Sequence, residues 1–156
     1  MRFVFAFAVL LFAAPVLAAD WGEYVNSRYG FVVGVPPGFT GQGESDNGDG
    51  QVFRSRDGAQ KLTVWGGFLT DGDFSSEMQG RLADDAGEGW TITYQASTPQ
   101  WISYSGTRQG SVIYARGIAR CSDQYAMFRL QYPTADMSRL DAMVEKLVRS
   151  LKAGQC

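Results

Sequence analysis

Residues 124–151 read QYAMFRLQYPTADMSRLDAMVEKLVRSL, and their hydrophobic period changes midway. Up to Tyr132 the pattern repeats every two residues, so that Ala126, Phe128, Leu130 and Tyr132 share one face of a strand and Arg129 and Gln131 the other. Beyond Tyr132-Pro133 the spacing becomes helical. Met137, Leu140, Met143, Val144, Leu147, Val148 and Leu151 form a broad apolar stripe, with Arg139, Asp141, Glu145 and Arg149 outside it. Glu145 and Arg149 stand at i,i+4 in the favourable order for a helical ion pair. A helix with one apolar face needs a sheet to cover, and the strand before it supplies one.

Working upstream, residues 101–105 and 111–121 read as further strands, as do residues 90–95. Before them Phe74, Met78, Leu82 and Ala86 step by four, predicting a helix with Asp73 or Ser76 as N-cap and Gly87 and Gly89 at its end. Gly80 inside it costs about 1 kcal/mol against alanine. Residues 51–55 and 61–65 flank Arg56-Asp57-Gly58, a strong hairpin signal. Leu62 and Val64 fall on one face there, with Lys61, Thr63 and Trp65 opposite. Residues 38–50 are rich in glycine and acid with hardly any apolar side chain, and read as a mobile loop. Residues 23–25 and 31–35 read as two short strands, the second stopped by Pro36-Pro37-Gly38. The short connections imply antiparallel pairing. The expected fold is α+β, a central antiparallel β-sheet flanked by helices in one domain, residues 19–156.

The chain has 156 residues, 16 acidic against 14 basic side chains, no histidine and two cysteines. A net charge of −2 argues against nucleic acid as a partner, which needs a basic surface. Lack of histidine removes Ser-His-Asp and Cys-His arrangements and every His-ligated metal site. No cofactor is expected, and no metal.

Residues 1–18 carry one early arginine, a long apolar run and small residues ending at Ala18, the layout of a cleaved secretory signal peptide. No basic stop-transfer cluster follows, so no membrane span is expected in the mature chain, and without a cysteine near the cut no lipid anchor is expected. The expected location is periplasmic or secreted. In such an oxidising place Cys121 and Cys156 read as a disulfide. The strand after Cys121 carries the chain some 30 Å away, and the closing helix brings it back by roughly 22 Å, so the two thiols should meet.

The pattern resembles the PsbP-like α/β/α sandwich superfamily, which includes the extrinsic photosystem II protein PsbP, a nuclear import factor that binds the Ran GTPase, and the bacterial DcrB-like envelope proteins. The features that carry the likeness are Tyr24-Val25-Asn26-Ser27-Arg28-Tyr29-Gly30-Phe31, Pro36-Pro37-Gly38-Phe39, Asp57-Gly58, Trp101 with Gly106, Tyr114-Ala115-Arg116, Tyr132-Pro133 and the closing Ser150-Leu151. They specify turns rather than chemistry. The resemblance implies a binding or assembly protein without catalysis, and shared fold does not transmit function.

Three constellations have residue types that could carry chemistry. Ser45-Asp46-Asn47-Gly48-Asp49-Gly50 places oxygens as in a calcium loop, but Arg56 stands where the bidentate glutamate belongs and no helices flank it, so a solvated turn is the expectation. Asp84, Asp85 and Glu88 sit on one helix end and read as a solvated face rather than a carboxylate pair spanning a sugar bond. The large aromatics, Trp65 and Trp101 among them, are expected mainly in the core, and serve as anchors for a partner if exposed. Asp46, Asn47, Asp49, Trp65 and Trp101 are therefore the candidate binding residues, and no catalytic residue is assigned. The expected function is a non-catalytic binding, assembly or accessory factor for an envelope or extracellular protein. The alternatives are an exported hydrolase with a carboxylate or serine site, and a small-ligand or ion carrier using residues 38–50.

Overall fold

The computed structural model describes residues 20–70 and 72–156. The expected leader, residues 1–18, lies outside the described residues. Ten strands and two α-helices follow one another as β1 (Gly22–Asn26), β2 (Phe31–Val35), β3 (Phe39–Glu44), β4 (Gly50–Ser55), β5 (Lys61–Phe68), α1 (Phe74–Gly87), β6 (Thr91–Thr98), β7 (Trp101–Arg108), β8 (Ser111–Arg120), β9 (Gln124–Pro133), a 3-10 turn (Thr134–Asp136), α2 (Met137–Ser150) and β10 (Lys152–Ala153). The fold class is α+β, as the change of period at Tyr132 requires.

A seven-stranded antiparallel sheet runs in the order β3-β4-β5-β9-β8-β7-β6. It is two local meanders, β3 to β5 and β6 to β9, joined edge to edge where Leu62, Val64 and Gly66 of β5 face Leu130, Phe128 and Ala126 of β9. A second sheet, β1-β2-β10, lies with α2 over one face of the first. Phe31 and Val33 from β2, Leu62 and Val64 from β5, Phe128 and Leu130 from β9, and Leu140 and Leu147 from α2 close that core. On the opposite face α1 covers Ile102, Tyr104, Ile113, Ala115 and Met127 with Phe74 and Met78. The two faces of β9 are thus both buried, one under each helix. That explains why Met127, on the side the alternation marks as polar, is only 1% exposed.

Two sequence expectations change here. Residues 38–50 are not a mobile loop. They form β3 and the turn into β4, where Phe39↔Ser55, Thr40↔Arg54 and Gly41↔Phe53 pair before a bulge. A strand so poor in apolar residues is held by polar clasps. Tyr24 donates to Glu44 at 2.7 Å, buried Asn26 donates to the Gly48 carbonyl at 3.0 Å, and Arg28 donates to the Asn47 carbonyl. Gly50 lets β4 lie close on β5, since a Cβ there would meet the Val64 carbonyl oxygen at 1.9 Å. The second change is the small sheet itself: the C-terminal tail adds Lys152 and Ala153 to β2, a pairing too short to leave a pattern in sequence.

Helix α1 begins as expected, with the Asp73 carboxylate accepting from the Ser76 N–H at 2.8 Å. Its buried face is Phe74, Glu77, Met78 and Asp85. A strict step of four overshoots a full turn by about 40° each time, so Ala86, three steps on, has rotated out to solvent.

Candidate functional site

The buried face of α1 carries two carboxylates, Asp85 met by the sheet and Glu77 met by its own helix and the loop before it. Asp85 is buried, which corrects the expectation that Asp84, Asp85 and Glu88 form one solvated face; only Asp84 and Glu88 are exposed. Arg129 of β9 donates to Asp85 at 2.8 Å and 3.4 Å, and the Tyr104 hydroxyl of β7 donates to it at 2.7 Å. Burial, then the bond to Asp85, pushes the Tyr104 phenol well above its ordinary range. Two turns earlier, Glu77 accepts from Arg81 at 2.8 Å and from the Thr70 hydroxyl at 2.9 Å. Burial alone would raise that carboxyl, but the bonds from Arg81 and Thr70 outweigh it and hold Glu77 below its usual value. Arg81 also donates to Tyr125 at 2.8 Å. Buried Trp90 lies under two cations, with the Arg108 and Arg129 guanidinium carbons 4.5 Å and 5.2 Å from its ring centres.

Trp65, Lys61 and Arg129 line a 420 Å³ cleft beside this network. Of its charged groups Asp85 and Arg129 are committed to one another and Arg81 to Glu77, while Asp84 and Glu88 stand exposed at its rim. The sequence signal for the network was Arg129: a cation on a strand covered on both faces needs a buried partner, yet only the fold supplies Asp85 from 44 residues away.

The structure places the expected binding residues in three settings. Asp46 and Asn47 sit exposed at the β3–β4 turn. There Ser45 and Asn47 donate to Asp49 at 2.5 Å and 3.0 Å, so Asp49 spends both carboxylate oxygens inside the turn. Among the described residues no group of three or more acidic or cysteine side chains is placed to hold a metal ion. Asp49 and Trp65 meet across a shallow 450 Å³ cleft, because Gly50 pairs with Trp65. Trp101 is far from both, on the opposite face at the other end of the large sheet.

That far end is uncovered by α2. Trp101 and Ser103 on β7 and Tyr114 and Arg116 on β8 stand there side by side with Tyr94 and Ala96 on β6. The Arg116 guanidinium lies 4.1 Å over the Trp101 ring and donates to Ser103 at 3.0 Å. Its Nε is buried without a partner, and desolvation lowers its pKa. Tyr94 is 48% exposed. Arg116 enters the sequence reading only in Tyr114-Ala115-Arg116 as part of the family resemblance, and neither it nor Tyr94 is a binding candidate there, because both look like ordinary outward strand residues.

Cys121 and Cys156 are joined, with Cα atoms 5.6 Å apart. Cys121 sits at φ 49° in the turn between β8 and β9. Arg120 reinforces the closure by donating to the Gly30 and Gln155 carbonyls at 2.9 Å and 3.2 Å. Among the described residues no helix is long and apolar enough to cross a membrane.

This pairing of a large antiparallel sheet with one helix on each face, and a small sheet beside the second helix, is the PsbP-like α/β/α sandwich. One solved structure it is similar to is the solution structure of cyanobacterial PsbP (CyanoP) from Synechocystis sp. PCC 6803, at a TM-score of 0.65 and 13% identity over 90% of this chain and 96% of that one. At that identity the likeness shows the fold. No family model and no curated protein matches the sequence.

Proposed function

We propose that this chain is a non-catalytic binding protein, exported to the periplasm or secreted, that serves as an assembly or accessory factor for a larger envelope or extracellular protein. One contrast carries the reading. The part-buried carboxylates under α1 are matched to Arg81, Arg129, Thr70 and Tyr104, whereas the aromatic end of the sheet around Trp101 has no covering element among the described residues. Matched charges stabilise and fix geometry; open aromatic surface with hydroxyls around it binds. The disulfide supports an oxidising location.

Crosslinked affinity capture from the native envelope tests this. Recovery of one defined protein partner, lost when the Trp101 surface is altered, is expected. Repeated recovery of the protein alone, or turnover of a hydrolase substrate by the pure protein, overturns it.

A further inference from the structure

Among the cations of the described residues Arg116 is unusual. Arg81, Arg129, Arg139 and Arg149 pair with carboxylates, and Arg28, Arg108 and Arg120 are bonded to backbone carbonyls. Arg116 is half-buried, rests on an indole, and has only the Ser103 hydroxyl as a bonded partner. The ionisable groups that act on it are the phenols of Tyr114 and Tyr94. A partly desolvated guanidinium without a counter-charge is costly, and a carboxylate brought to it from outside recovers that cost.

The way in is set by the register. Ala96, Ser103 and Arg116 stand in one cross-strand row, with Ser103 buried under the guanidinium it accepts from, so a short path over the small side chain of Ala96 leads from the sheet edge to the guanidinium. Tyr94 and Thr98 flank its mouth. The edge itself is β6, and it differs from the edge at the other end of the sheet. There β3 is interrupted by a bulge, a left-handed Gly43 and the charge of Glu44. The β6 sequence TITYQAST has no charge and no proline. Its bulge lies at Ile92–Tyr94, which leaves regular register from Tyr94↔Ser105 to Thr98↔Trp101. An uncharged, regular edge with exposed backbone donors and acceptors accepts another strand.

We propose that the β6 edge and the Trp101–Arg116 platform together seat an extended acidic segment of a protein partner, which adds as a strand beside β6 and sends an aspartate or glutamate over Ala96 to Arg116. The proposal rests on the binding-protein reading and names the chemistry of the partner. Backbone pairing supplies affinity, and the carboxylate on Arg116 supplies selection. A strand added to β6 stands about 9–10 Å from β7, over which the Arg116 head already leans, so a glutamate arm covers the remaining gap.

The test is selection of a displayed library of eight-residue extended peptides on the full, oxidised protein, with Arg116→Gln, Arg116→Lys and Tyr94→Ala compared after each is shown to melt as a folded protein. Selected peptides are expected to carry Asp or Glu at one position and to bind at least tenfold tighter than their Asn or Gln counterparts. Arg116→Gln should abolish that preference and Arg116→Lys restore part of it. Amide shifts on binding should concentrate in residues 94–98. Exposed Tyr94→Ala keeps the test open if the Arg116 variants fail to fold, and should weaken binding at least threefold. Peptides selected without an acid, a preference unchanged in all variants, or binding of polygalacturonate in place of any peptide overturns the proposal. Capture of an envelope partner through another surface would sink this inference while leaving the binding-protein reading standing.

Discussion

Asp85 shows how one side chain can serve structure while looking like chemistry. Its carboxylate ties α1 to β7 and β9 through Tyr104 and Arg129, and removing it strands Arg129, which is 18% exposed, beside buried Trp90. Asp85→Ala should therefore lower stability by about 3 kcal/mol, read from urea unfolding. Replacing exposed Asp84 the same way should change it by less than about 0.5 kcal/mol. Glu77 makes the pH dependence explicit. Its folded pKa lies below the ordinary 4.5, so its contribution is complete above that value and is lost as the pH falls through the depressed folded pKa. Stability should fall from about pH 4.5 downward, and Glu77→Gln should fall less steeply while being less stable at neutral pH. Asp57 and Asp73, also held low by their turn and cap bonds, act in the same direction. The Asp73 cap was readable along the chain, but the Asp85 pairings were not, because they join residues far apart in sequence whose charges look solvated until the helix is docked.

Among the elements, α2 was the most legible and β3 the least. The α2 stripe places Leu147 fully in the core, and Leu147→Ala should cost about 2–5 kcal/mol, measured by thermal or urea unfolding. The β3 hairpin has almost no apolar pattern, since its strand is exposed along most of its length; it exists because β4 offers an edge, and β1 with the turn after it supplies Tyr24, Asn26 and Arg28 as clasps. The close passage at Gly50 sets its register. Gly50→Ala should push β4 off β5 and cost about 1–3 kcal/mol, with faster amide exchange in residues 39–55 and little change around α2. That contrast separates local loosening of the hairpin from global destabilisation.

For the molecule as a whole, the disulfide and the β5–β9 seam are what join distant parts. The Cys121–Cys156 bond closes 35 residues that hold β9 and α2, and Cys156→Ser should lower stability by roughly 3–4 kcal/mol in the chain-entropy view, with a lower melting temperature that reductant reproduces in the native chain. The sequence by itself determined the α+β class, the antiparallel pairing of neighbouring strands, the helix that ends the fold and the cysteine bridge. Each is written in local period, turn residues or a countable pair. Tertiary structure alone decided that β5 lies against β9, that α1 meets the sheet through Asp85, and that part-buried Trp101 and Arg116 stack beside an edge strand unpaired on its outer side among the described residues. Those are facts about which distant surfaces face one another, and the chemistry of a surface stays silent in a sequence until something is, or is not, placed over it.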